Sequence, residues 1–189
     1  MKSIQKHQLE TGLFNCEAQE YGIVDKGMDV KPTRVFIHGL ESSSMGTKGV
    51  FFRGKYPDMI IEDFVGTFKD RMEKLNKILS GKAPLILVGS SYGGLMAAVY
   101  AFNNEESVRK LILLAPALDI YEFKLYLGRQ LLLPVVIYHG KNDDVVSPSS
   151  VRDIARMLFP NLEYHLVEDD HSLHETFSLM NWDDLLETS

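Results

Sequence analysis

The sequence holds a single cysteine, Cys16, in 189 residues. One thiol excludes an intramolecular disulfide and any zinc site built on several cysteines, and it fits a reducing compartment. Excess positive charge is missing too. The chain carries 20 basic and 26 acidic residues, a formal net charge of −6, with no basic run or aromatic-basic stripe. Nucleic acid is therefore not an expected partner. Long apolar runs are also lacking, since "LILLAPAL" and "LLLPVVIY" fall far short of the ~20 residues that span a bilayer. The opening "MKSIQKHQLE" has no apolar core of a secretory signal. These absences predict a cytoplasmic protein without a membrane span. Neither a repeat nor a linker divides the chain, so residues 1–189 are expected to form one domain.

From residue 33 onward, apolar β-rich runs alternate with helical patterns. The runs "TRVFIHG" (33–39), "MII" (59–61), "PLILVG" (84–89), "KLILLAP" (110–116), "PVVIYHG" (134–140) and "LEYHLV" (162–167) read as strands. Most are nearly continuous in Val, Ile and Leu, as in parallel strands covered on both faces. Phe68, Met72, Leu75 and Leu79 mark one helix face. Val151, Ile154, Ala155 and Leu158 mark another, opened by Ser147 as N-cap and Pro148 at the first helical position. A last helix is expected from about Leu173, burying Phe177, Met180 and Trp182. The predicted fold class is α/β, a mainly parallel sheet with helices on both faces. The first ~30 residues are expected to add an edge hairpin. Residues 117–133, which lack a clear period, read as a short cap-like insertion.

The stretch "LVGSSYGG" (87–94) sets two serines among glycines between a strand and a helix pattern. A nucleophile on a tight strand-to-helix turn needs small residues two positions away on either side, because the chain folds closely back on itself. Centring on Ser91 puts Gly89 and Gly93 there, whereas centring on Ser90 puts the bulkier Val88 and Tyr92. The register selects Ser91. A serine hydroxyl also needs a base, and the base needs a carboxylate to hold its tautomer. The loop after the fifth run offers Asp143 and Asp144. The loop after the sixth offers His171, with His174 a turn farther along.

The segments "HGLESS", "GSSYGG", "HGKNDDVV" and "DDHSL" together resemble the α/β-hydrolase superfamily, specifically its small esterase-like serine hydrolases. The likeness runs from about Arg34 to the C-terminus and implies an α/β-hydrolase fold. It also implies the chain order Ser, Asp, His for a catalytic triad. The pattern H-G-x-x-D-x-x-V assigns the acid to Asp143 and makes His139 and Gly140 structural, although a one-residue loop shift would exchange Asp143 for Asp144. His171 follows directly on the acidic loop and is preferred to His174. The resemblance places an oxyanion hole at the backbone N–H groups of Leu40 and Tyr92, with His38 a structural loop residue.

The expected activity is hydrolysis of a carboxylic ester or thioester by a serine esterase that takes a small-molecule acyl substrate through an acyl-enzyme on Ser91. Lactone, amide and C–C bond hydrolysis use the same triad and stand as alternatives, as does a non-catalytic binding module on this fold. Serine at the elbow argues against dehalogenase or epoxide hydrolase chemistry, which in this fold uses Asp there. No cofactor is implied. "HSLHE" is not a zinc motif, "SGKAP" lacks the glycines of a phosphate loop, and no G-x-G-x-x-G follows a strand. Tyr121, Phe123, Tyr126 and Leu127 either wall an acyl pocket or pack the insertion onto the sheet. Lys48 and Arg53 either meet a polar substrate group or form a solvated rim.

Overall fold

The computed structural model describes residues 30–187. Six strands form one parallel sheet: β1 (Thr33–Ile37), β2 (Ile60–Ile61), β3 (Leu85–Ser90), β4 (Val108–Leu114), β5 (Val135–Gly140) and β6 (Leu162–Val167). Their order across the sheet is β2-β1-β3-β4-β5-β6. After β1 the chain steps to one side, and after β3 it steps to the other. The crevice between the ends of β1 and β3 is thus the switch point where open α/β sheets place their ligands.

The period-2 alternation of each inner strand feeds two cores. Val35, Ile37, Leu85, Leu87, Leu111 and Leu113 point to one face, where α2 (Phe68–Leu79), α3 (Tyr92–Asn103) and α4 (Pro148–Leu158) pack. Phe36, Ile86, Val88, Ile112 and Leu114 point to the other. There they meet Phe52 of α1 (Thr47–Lys55), Phe177 of α5 (Thr176–Leu179) and Trp182 of α6 (Trp182–Leu185). Trp182 is fully buried and donates its indole N–H to the Phe177 carbonyl at 3.0 Å. Helices on both faces match the predicted class.

Local chemistry explains most boundaries. Thr67 caps α2 in a reciprocal box with Asp70, and Ser147 caps α4 with Pro148 at the first position. Three details differ from expectation. Helix α1 carries Gly49 and Gly54 and no capping side chain, so neither propensity nor cap signals it. The expected final helix is two short helices instead. Leu173, at φ 53°, turns the chain before α5, and Met180 in extended backbone separates α5 from α6. β4 begins at Val108, straight after a 3₁₀ turn over Glu105–Ser107. The predicted N-terminal hairpin and Cys16 lie outside the described residues. No helix among the described residues is long and apolar enough to cross a membrane.

Candidate active site

All the loops singled out by sequence end at the carboxyl edge of the sheet. β1 delivers His38 to Leu40, β3 delivers Ser91, β5 delivers Asp143, and β6 delivers His171. Ser91 has φ 54° and ψ −117°, a backbone that L-residues rarely adopt. Among the described residues, only Ala115 and Leu173 share its positive φ without being glycine, and both follow at this same edge. Hydrogen bonds over-determine the strained serine. Its N–H donates to the Leu114 carbonyl at 2.8 Å, while its own carbonyl accepts from Gly94 at 2.9 Å and Ala117 at 3.1 Å.

The glycines beside it are steric necessities. A Cβ on Gly89 would strike the Gly93 carbonyl, and one on Gly93 would strike the carbonyls of Ile37 and His38. Gly54, by contrast, has nothing within 4 Å of its missing Cβ. Gly93→Ala is therefore expected to lower Tm by at least about 5 °C through forced displacement of β1. Gly54→Ala, in the last turn of α1, should hold or raise Tm. Thermal melts of the two variants check this.

Three side chains from three loops join in one line. His171 Nε2 accepts from the Ser91 hydroxyl at 3.0 Å, and its Nδ1–H donates to Asp143 Oδ2 at 2.8 Å. The Asp143 side chain is fully buried, and its Oδ1 accepts the amides of Val145 and Val146 at 2.9 and 2.8 Å. Burial pushes the Asp143 carboxyl up, but the Val146 amide, His171 and the Val145 amide outweigh it and hold the group below the usual carboxylate range. The two alternatives point elsewhere. Asp144 is exposed, and His174, 72% exposed, bonds Asp170 at 2.7 Å.

His139 contributes more than its place in the strand suggested. Its Nε2 lies 2.9 Å from Asp143 Oδ2 and 3.1 Å from the Val146 carbonyl, two acceptors that require the proton on Nε2. Burial lowers its pKa, against the opposing pull of Asp143. Asp143 Oδ2 thus receives two imidazole N–H donors, one from each side. The sequence signal is a histidine inside the otherwise apolar run "PVVIYHG".

Leu40 and Tyr92 present backbone N–H groups that donate to no protein acceptor among the described residues. Tyr92 opens α3, where the first amides have no partner in the helix. The peptide carrying the Leu40 N–H is aligned from its other end. His38, 2% exposed, accepts the Phe64 N–H at Nε2 (2.9 Å) and donates Nδ1–H to the Gly39 carbonyl at 2.7 Å. Donation to that carbonyl polarises the attached N–H as well.

These groups face a cleft of about 700 Å³. Its apolar wall comes from Phe36, Leu40, Ile120, Val145, Leu173 and Phe177. Of the four insertion residues in question, none lines the cleft. Phe123 is fully buried and stacks on Tyr126, so these two pack the insertion onto the core, whereas Tyr121 and Leu127 are exposed. The insertion reaches the cleft through Ala117 and Ile120. Lys48 lines it and fastens the histidine loop. Its ammonium donates to the Ser172 carbonyl at 2.6 Å over the Phe177 ring, and burial lowers its pKa despite Asp170 and Asp169. Arg53 is engaged with the Ser44 carbonyl. The three histidines of the C-terminal region take separate acidic partners: Glu163 for His165, Asp143 for His171 and Asp170 for His174.

Solved structures share this architecture. Alpha/beta hydrolase domain-containing protein 10 from mouse superposes with a TM-score of 0.68 at 21% identity, covering 82% of this chain and 89% of that one. The chain thus has an α/β-hydrolase fold. An alpha-beta serine hydrolase homologue from Coxiella burnetii superposes with a TM-score of 0.64 at 20% identity, covering 85% and 86%. Est1E from Butyrivibrio proteoclasticus, with ferulic acid bound, gives 0.62 at 17% identity over 78% and 84%. The serine aminopeptidase S33 family model matches residues 53–130, which include the serine elbow but neither Asp143 nor His171. A search of curated proteins finds no match.

Proposed function

We propose that this protein is a serine hydrolase that cleaves a carboxylic ester or thioester. The observation that carries the reading is the unbroken hydrogen-bond line from the Ser91 hydroxyl through His171 to Asp143. Ser91 Oγ attacks the acyl carbonyl as His171 Nε2 takes its proton, and Asp143 stabilises the imidazolium. The tetrahedral oxyanion accepts the amides of Leu40 and Tyr92. The C–O or C–S bond then breaks, His171 returns the proton to the leaving alcohol or thiol, and the acyl group stays on Ser91. Water, activated by the same imidazole, releases the acid and restores the serine.

The apolar cleft wall favours an apolar acyl group, and its volume suits a small molecule. One cysteine favours a reducing compartment, and we place the enzyme in the cytoplasm. The partial match to a serine aminopeptidase model supports a second reading, hydrolysis of an amide bond by the same residues. Intact mass after treatment with a small fluorophosphonate should show one adduct. A panel of p-nitrophenyl esters from acetate to octanoate, run beside amino-acid p-nitroanilides, then separates the readings. Faster turnover of the esters supports the first. Labelling with turnover of anilides alone replaces it by the second, and no adduct on folded protein discards both.

A further inference from the structure

Arg71 sits on the apolar face of α2, three residues after Phe68 and four before Leu75. It is only 5% exposed, yet it forms no ion pair among the described residues. Its partners are all uncharged. Nε donates to the Gly66 carbonyl at 3.1 Å, one terminal nitrogen makes a long contact with the Leu40 carbonyl at 3.5 Å, and the guanidinium lies 5.6 Å from the Tyr92 ring centroid. The other terminal nitrogen is buried with no partner. A buried arginine without an acid is costly, because desolvation of the charge goes unrepaid. Such a cost persists where the charge serves a state that the resting protein does not contain.

Leu40 and Tyr92 are the two residues whose backbone N–H groups serve as oxyanion donors in the function proposed above, on which this inference rests. Arg71 touches both. The geometry points to Arg71 as a positioning residue of the oxyanion hole, which ties its two halves together and sets an uncompensated positive charge behind them. That charge has nothing to neutralise in the free enzyme. During acyl transfer a full negative charge forms on the substrate oxygen between the two amides, and a fixed cation behind them stabilises it. The field favours the tetrahedral state over the neutral ester. It should therefore act on kcat and hardly on KM.

A residue that only packs would lower stability and rate together. An electrostatic positioner predicts opposite signs. Arg71→Met removes a buried unpaired charge at similar volume, so Tm should hold or rise. Turnover of p-nitrophenyl butyrate should show kcat reduced about 10- to 100-fold with KM within about twofold, and fluorophosphonate labelling should slow by the same factor. Arg71→Gln keeps a donor near the Gly66 carbonyl but removes the charge and the terminal nitrogens at Leu40 and Tyr92, so it should show the same kcat loss; it decides the matter if the Met variant fails to fold. Wild-type kcat in Arg71→Gln overturns the inference, as does a Tm loss accompanying any rate loss in Arg71→Met. Wild-type protein that neither labels nor turns over the ester overturns the proposed function itself, and this inference with it.

Discussion

Ser91→Ala is expected to abolish the fluorophosphonate adduct and to cut ester turnover by at least about four orders of magnitude. The oxygen it removes is the one that bonds to the acyl carbon in the proposed mechanism. Folding should survive. Alanine tolerates the φ of 54° as serine does, and the Gly94, Leu114 and Ala117 contacts that hold the elbow are all to its backbone. The variant loses one side-chain hydrogen bond, worth about 1 kcal/mol, so Tm should fall by no more than about 4 °C. Ser90→Ala is the matched control. Ser90 ends β3 and lines the cleft, but no base addresses its hydroxyl, so its turnover should stay within about tenfold of wild type. Equal losses in the two variants would remove Ser91 from its role, and labelling with turnover in each shows which case holds.

Asp143→Asn should cost almost as much, for a reason specific to its surroundings. Oδ1 accepts two amides, from Val145 and Val146, so the asparagine oxygen must stay there. Its NH2 group then takes the position of Oδ2, where two imidazole donors now arrive, from His171 and His139. Donor faces donor on both sides. His139 can turn its proton wholly to the Val146 carbonyl, 3.1 Å away. His171 can relieve the conflict only by moving its proton to Nε2, where it can no longer accept from Ser91. We expect kcat to fall about 10⁴-fold, while Asp144→Asn, on an exposed neighbour, should be nearly silent.

Asp143 also couples stability to pH. Its carboxyl titrates below its ordinary value, so its contribution to stability is complete above about pH 4 and is lost as pH falls through the folded-state pKa. Asp143→Asn should remove that part of the acid-side decline. Thermal melts from about pH 5 down to pH 3 read the difference, and steady-state kinetics reads the catalytic loss.

Much of this architecture was legible in the residues. Near-continuous Val, Ile and Leu runs can be satisfied only by burial on both faces, which makes the strands parallel and demands covering helices. Thr67 with Asp70, and Ser147 with Pro148, are local hydrogen-bonding signals that announce their helices. Helix α1 gave no such sign, because it has no capping side chain and Gly49, which clears the Ser44 carbonyl of the loop before it, lowers its helix propensity. Phe123 and Tyr126 remained ambiguous because an aromatic side chain reads alike whether it walls a cleft or packs a core.

The site divides along the same line. Gly89 and Gly93 exclude a Cβ wherever the chain folds back tightly, so the choice of Ser91 over Ser90 is written in local sterics. The order serine, acid, histidine likewise follows from the ends of β3, β5 and β6. The resemblance assigned the acid to Asp143 and left Asp144 open to a one-residue shift, whereas the amides of Val145 and Val146 and the imidazole of His139 meet at Asp143 through the packing of β5 and the turn after it. Arg71 could be read as a charge on an apolar helix face, but what it touches depends on how α2 docks beside the ends of β1 and β3. Sequence by itself determines periodicity, turn sterics and the chemical types available at each strand end, because these act within a few bonds. Which hydroxyl, carboxylate, imidazole and cation meet is decided only when elements distant in the chain are packed, because hydrogen bonds and desolvation depend on separations of a few ångströms in space.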